Sequence, residues 1–304
     1  MSIQPVPPER QSGSDPLCRS VLDRVAAGAA VITTAGMIAT PLLPQAGRGR
    51  RWLSSVVVTA MFTTTTANAT RRWGTGRAVG AATLTATATA AVERVGTRTG
   101  IPFGRYSYTS ALRPQIAHVP VIVPLAWFGM GLPSREAAHA ALGARSTPTG
   151  RVLLGSAAMT AWDLFLDPQM VGEGYWAWAR RGRYRGIPLS NFVGWFVTGL
   201  GIMAALEALL PPRHATEATT GNTATTVTDA TTVTVSGSSD ADATRPRPSP
   251  VGDARLIGEY GFMSVMQTLG FARFFRDPLV AAVGGAAMLP IAAAATVNRM
   301  RGTR

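Results

Sequence analysis

Apolar residues gather in eight runs along the chain, at 21–43, 52–70, 76–93, 116–132, 150–167, 189–210, 255–271 and 278–297, separated by stretches rich in glycine, proline and arginine. A helix needs about 20 mostly apolar residues to cross a bilayer, because hydrocarbon offers no partner to a bare backbone amide. The pattern therefore predicts an all-α, polytopic membrane helix bundle with about eight transmembrane helices. The second and third runs are the least hydropathic, with Thr63 to Thr66 in one and the alanine-rich stretch Ala81 to Ala91 in the other. Threonine is tolerated in such a helix because its hydroxyl bonds back to the backbone, and small residues let helices approach closely. The seventh run is short and holds Glu259 and Gln267, so seven spans is the alternative count.

The runs divide the chain into four regions. Residues 1–20 form a polar N-terminal tail, 21–212 the first six spans, 213–254 a loop, and 255–304 the last two spans with a basic tail. The loop is built from Thr, Ala, Ser, Asp and Pro with scarcely any large apolar side chain. Such a segment buries too little surface to offset its ordering entropy, and disorder is expected there.

Charge narrows the partners. The net charge is +13, and arginine supplies all of the cations because the chain has no lysine. The arginines fall in bursts between apolar runs, as at Arg48 to Arg51 and Arg180 to Arg185, which suits anionic lipid heads. No basic-aromatic stripe or recognition module points to nucleic acid. The arginines split almost evenly between the two sides, so the positive-inside rule gives no orientation. With Cys18 the lone cysteine, no intrachain disulfide is possible.

Alternating spans bring Glu93, the 94–115 connection, Asp163, Asp167 and the 172–191 segment to one face of the bundle. Two dense segments lie there. The first, Glu93 to Tyr108, has glycines and Pro102 that end a helix, and it lacks the Gly-Lys-Ser/Thr of a phosphate loop. The second runs from Asp163-Leu164-Phe165-Leu166-Asp167-Pro168 through Trp176-Ala177-Trp178 to Asn191 and Trp195. Asp163 and Asp167, four apart, share a helix face, and Pro168 is expected to end that helix. Carboxylates at such depth are expensive and usually face the bundle interior. The bland alternative is that they pair with Arg98 or Arg185, with Asp167 and Asp277 acting alike as helix-boundary residues. An Asp-x-x-x-Asp pair also suits magnesium and a diphosphate, but no second acidic cluster accompanies it on a span. His118, His139 and His214 are scattered, and no metal site is expected.

At these segments the chain resembles the carotenoid-biosynthesis integral membrane proteins that include bisanhydrobacterioruberin hydratase and the carotenoid 1',2'-hydratases. The shared stretches are Thr99 to Tyr108, His118-Val119-Pro120 with Pro124 and Trp127, Asp163 to Pro168, Trp176-Ala177-Trp178, and Gly182 to Trp195. The resemblance implies a multi-pass protein of the cytoplasmic membrane without a cofactor. Its partners would be a lipid-soluble carotenoid, membrane lipids and other enzymes of the pathway.

The implied reaction is addition of water to the terminal ψ-end double bond of an acyclic carotenoid, a carbon–oxygen lyase (hydratase) chemistry. It needs an acid strong enough to protonate carbon and aromatic faces to stabilise the tertiary cation. Asp163, Glu93 and Asp167 are the candidate catalytic groups, with Asp163 ranked first as the deeper of the aspartate pair and Asp167 expected to matter less if it only caps the helix boundary. Tyr106, Tyr108, Trp127, Trp176, Trp178, Trp195 and Asn191 are the candidate substrate-binding residues. Two other classes fit the same chain. One is a non-catalytic carotenoid-binding or scaffold subunit. The other is a proton-coupled small-molecule transporter using Glu93, Glu207 and Glu259.

Overall fold

The computed structural model describes residues 16–212 and 252–302. It is a bundle of eight α-helices among the described residues: α1 (Pro16–Ala39), α2 (Arg48–Trp73), α3 (Thr75–Thr99), α4 (Ile122–Leu142), α5 (Pro148–Gly172), α6 (Leu189–Leu209), α7 (Ala254–Arg273) and α8 (Pro278–Gly302). Each answers to one apolar run of the sequence. Residues 213–251 of the expected loop, and residues 1–15 of the expected N-terminal tail, lie outside the described residues. Three helical segments, Leu17–Leu42, Leu189–Leu209 and Pro278–Arg301, are long and apolar enough to cross a membrane. Apolar side chains such as Val31, Ile32, Val193, Val197 and Leu269 stand exposed on the outside of the bundle, as in a protein solvated by lipid.

Helix α4 is the axis of the bundle and packs against α2, α3, α5, α6, α7 and α8. Its residues from Ala126 to Ala138 are buried without interruption. It starts later than the sequence suggested and runs ten residues past the expected end at 132. Arg135 and Glu136 lie beyond that expected end, and both are fully packed. Arg135 bonds Glu207 at 2.8 Å, Glu136 at 2.9 Å and the carbonyl of Leu210 at 2.7 Å, and Arg151 bonds Glu207 at 2.7 Å. Glu207 is thereby tied into a structural ion-pair network, which removes one of the groups a transporter reading needs.

The threonines of α2 and α3 behave as expected. Thr63, Thr64, Thr66, Thr87 and Thr89 donate to carbonyls four residues back. This lets weakly hydropathic helices keep their hydroxyls satisfied.

Pro168 does not end α5, which continues to Gly172. A proline inside a helix removes one N–H and leaves the carbonyl four residues back without its partner. Here that carbonyl belongs to Leu164, and the Tyr184 hydroxyl donates to it at 2.8 Å. At Pro133 in α4 the freed carbonyl of Gly129 lies 2.9 Å from Thr65 Oγ1, whose single proton it shares with Glu259 Oε2 at 2.7 Å. Tyr184→Phe should therefore cost about 1 kcal/mol, the usual net worth of such a bond. The cost should shrink in a Pro168→Ala background, where the restored amide fills the carbonyl. Thermal unfolding of the four detergent-solubilised proteins checks this.

The loops meet at two ends. At one, Gln45 bonds the carbonyl of Gly172, Thr109 bonds that of Gly174, and Arg185 pairs with Asp277 at 2.5 Å. At the other, Trp73 bonds the carbonyl of Pro211 and Asn298 that of Ala141. The first end carries a feature the periodicity did not reveal. Strand β1 (Tyr106–Tyr108) pairs antiparallel with β4 (Trp176–Trp178), while β2 (Gln115–Ile116) pairs with β3 (Val119–Pro120). The all-α bundle is thus capped by two short ribbons.

Candidate active site

The β1–β4 ribbon joins the two dense segments. Its register places Tyr106 opposite Trp178, Ser107 opposite Ala177, and Tyr108 opposite Trp176. Side chains alternate across a strand, so the two tyrosines and two tryptophans share the face turned into the bundle, while Ser107 and Ala177 are exposed. Edge contacts join Tyr106 to Tyr108 and Tyr108 to Trp176, with ring centroids 5.5 and 5.7 Å apart.

The ribbon is seated by the loop before it. Gly100 ends α3 in the left-handed conformation (φ 83°), and Pro102–Phe103 then wedge between α3 and α6. A Cβ on Gly194 would lie 2.7 Å from the Phe103 ring and 3.0 Å from the Pro102 backbone, and one on Gly96 would lie 2.9 Å from Phe103. These glycines make room for the wedge.

Beneath the ribbon lie the three carboxyl groups. Glu93 sits well inside α3, which continues to Thr99 instead of ending there. Tyr106 and Tyr108 both donate to its Oε2, Tyr108 at 2.7 Å. Both tyrosines lie in the connection outside the helices. Burial first, and then the Glu93 charge, push their hydroxyl pKa values up, so they remain protonated donors.

Asp167 is not the helix boundary that Asp-Pro suggested. Its Oδ1 accepts from Trp176 Nε1 at 2.5 Å and Trp178 Nε1 at 3.3 Å, and its Oδ2 accepts from Asn191 Nδ2 at 2.8 Å. Asp277 does act as a boundary residue, accepting from the Val280 amide at the start of α8. Asn191 Nδ2 also donates to Asp163 Oδ2 at 2.7 Å, so the two aspartates converge on one amide. Asp163 is fully buried, and its Oδ1 has no partner. Among the described residues, no arginine pairs with Glu93, Asp163 or Asp167. Arg185, the partner considered from sequence, is taken by Asp277.

Glu93, Asp167, Asn191, Tyr106, Tyr108, Trp127, Trp176, Trp178 and Trp195 all line one narrow cavity of ≈ 50 Å³. That is room for a few waters, each needing about 10–15 Å³. Asp163 is held behind its wall. Trp127 and Trp195 stack at 4.1 Å, and Trp162 meets Trp195 edge-on at 6.2 Å. The sequence reading missed Trp162, although it adjoins Asp163, and the apolar liners Val58, Phe103, Leu112 and Met170. Of the histidines, His118 lies exposed in the β2–β3 turn, His139 is in the last turn of α4, and His214 lies outside the described residues. Among the described residues, no group of three His, Cys, Asp or Glu side chains is placed to hold a metal ion.

Fold and site together define a membrane-type helix bundle with a carboxyl-floored, aromatic-walled chamber at one end. The chain belongs to the carotenoid biosynthesis protein family, whose model matches residues 51–249, from α2 through α6. This places it in a carotenoid pathway. Among curated proteins it is similar to bisanhydrobacterioruberin hydratase of Haloarcula japonica, with 34% identity over 110 residues. That match covers 36% of this chain and 37% of the relative. No solved structure matches.

Proposed function

We propose that the protein is a multi-pass membrane hydratase that adds water to the terminal double bond of an acyclic carotenoid, with all eight helices crossing the cell membrane. The observation that carries this reading is the set of three buried carboxyl groups with no cation among their partners in the described residues, walled by tryptophan and tyrosine. Three charges cannot all persist in so dry a place, because an unpaired buried carboxylate costs several kcal/mol. The cluster is therefore suited to hold a proton and deliver it.

In this reading Asp167, at the cavity wall, is the general acid, and Asp163 behind it is linked to it through the shared Asn191 amide. Protonation of the terminal alkene carbon breaks the π bond and leaves a tertiary cation. The faces of Trp127, Trp176, Trp178 and Trp195 stabilise such a cation through their quadrupoles, by about 2 kcal/mol each where desolvated. Water then attacks from the Glu93 side. Its oxygen bonds to the cationic carbon and its proton passes to Glu93, whose Oε2 is fixed by two tyrosine hydroxyls. Transfer of one proton back to Asp167 closes the cycle, with one water consumed. No redox partner is required.

Expression in a lycopene-producing host tests the activity, with a pigment heavier by one water expected. The topology is tested by reporter fusions. Fusions after residues 47 and 110 should report one side of the membrane, and fusions after 75 and 145 the other. Disagreement between 47 and 110 would remove a span from the first half.

A further inference from the structure

The end of the bundle that holds the carboxyl chamber is also the end whose charge is left uncompensated. Arg98, in the last turn of α3, is exposed there. So are Arg105, Arg113, Arg180, Arg181 and Arg183, on the two connections that form the ribbon. Among the described residues none of these six arginines is in an ion pair. The acidic residues of this end are already taken or hidden. Glu173 pairs with Arg50 and Asp277 with Arg185, while Glu93, Asp163 and Asp167 are buried. The opposite end differs. There Arg71, Arg72, Arg135, Arg151 and Arg255 each lie within 4.0 Å of a carboxylate of Asp23, Glu136, Glu207 or Asp253. A tally of arginines along the chain hides this asymmetry, because it weighs a neutralised guanidinium like a free one. Large apolar side chains stand among the free arginines. Trp52, Ile101, Ile116 and Leu189 are 70, 69, 71 and 77% exposed. They belong to the first turn of α2, the loop after α3, strand β2 and the start of α6, all at this end.

We infer that this end is a docking surface for anionic lipid headgroups, and that it sets the carboxyl chamber at the cytoplasmic leaflet. The inference rests on the multi-pass reading and not on the hydratase reading. A guanidinium matches a phosphate with two parallel hydrogen bonds. The cytoplasmic leaflet is the one that carries anionic lipids and a negative surface potential. Each arginine near such a surface is worth about fivefold in affinity. Apolar and indole side chains between the arginines suit the same surface, because they enter the interface while the cations stay with the phosphates. These residues stand where the helices would leave the bilayer, so headgroups are the anions beside them.

The lone cysteine supplies the test of orientation. Cys18 is exposed near the start of α1, at the opposite end, and Ser107 is exposed on the ribbon. A membrane-impermeant maleimide applied to intact cells should label Cys18 of the full-length protein. A variant carrying Ser107→Cys and Cys18→Ser should be labelled only once the cells are opened. The reverse pattern would overturn the inference alone. Both positions responding from one side would overturn the multi-pass reading, and this inference with it. Lipid chemistry is read by thermal unfolding of the full-length protein in nanodiscs. Replacing phosphatidylcholine by phosphatidylglycerol should raise the midpoint by at least about 2–4 °C, the effect of one fivefold gain. The rise should vanish when all six exposed arginines are replaced by Gln. An equal midpoint in the two lipids, or a rise that survives those replacements, would overturn lipid docking and leave the surface to an acidic protein.

Discussion

Asp167→Asn is expected to leave carotenoid unhydrated while the protein still reaches the membrane. The amide keeps the size of the carboxyl and can still accept from Trp176 and Trp178, whose N–H groups reach Oδ1. What it loses is the transferable proton, together with the acceptor that Asn191 Nδ2 meets at Oδ2. General acid–base groups contribute about 10²–10⁴-fold, and protonation of carbon belongs at the upper end of that range. Glu93→Gln should lose a similar factor, since the amide accepts from Tyr106 and Tyr108 but cannot take a proton from water. Asp163→Asn should do less, because Asp163 is held behind the cavity wall and touches the site through Asn191. Whole-cell pigment analysis, with protein levels measured in parallel, ranks the three. Near-normal conversion by both Asp167→Asn and Glu93→Gln would remove the acid–base pair and favour a carotenoid-binding subunit.

The second large effect is on folding. Arg135→Leu should strip membranes of most folded protein. Arg135 is 0% exposed and bonds two glutamates and a helix C-terminal carbonyl. Removing one partner of a buried ion pair costs about 3–5 kcal/mol, because the other charge stays buried. Glu207 keeps Arg151, but the nearest cation left to Glu136 is Arg72, at 4.0 Å. Folded protein can be quantified by size-exclusion of a fluorescent fusion. Wild-type accumulation of Arg135→Leu would show that the network is dispensable.

The sequence displayed the helices through their apolar runs, because eight long stretches need no tertiary information to be seen. The alternation of spans likewise brought Glu93, Asp163 and the tryptophans to one end without coordinates. Three things were hidden. Pro168 read as a helix end because the donor that replaces its missing amide, Tyr184, lies sixteen residues away in the chain and meets Leu164 only in the folded state. Arg135 and Glu136 fell beyond the expected end of the fourth span, at 132, because their partners come from α6 and from the segment before α7. The β1–β4 ribbon is three residues a side, too short for periodicity to register, yet it aims four of the aromatic side chains. Each hidden feature is a long-range pairing of polar groups, which local pattern does not encode.

The central claim is that water itself is added by these residues, without redox chemistry. Purified protein incubated anaerobically with lycopene in isotopically labelled water tests it most directly. The account predicts a hydroxylated pigment whose new oxygen carries the label, and no such product from Asp167→Asn. Unaltered lycopene bound to well-folded protein, or a hydroxyl that lacks the label, would contradict it.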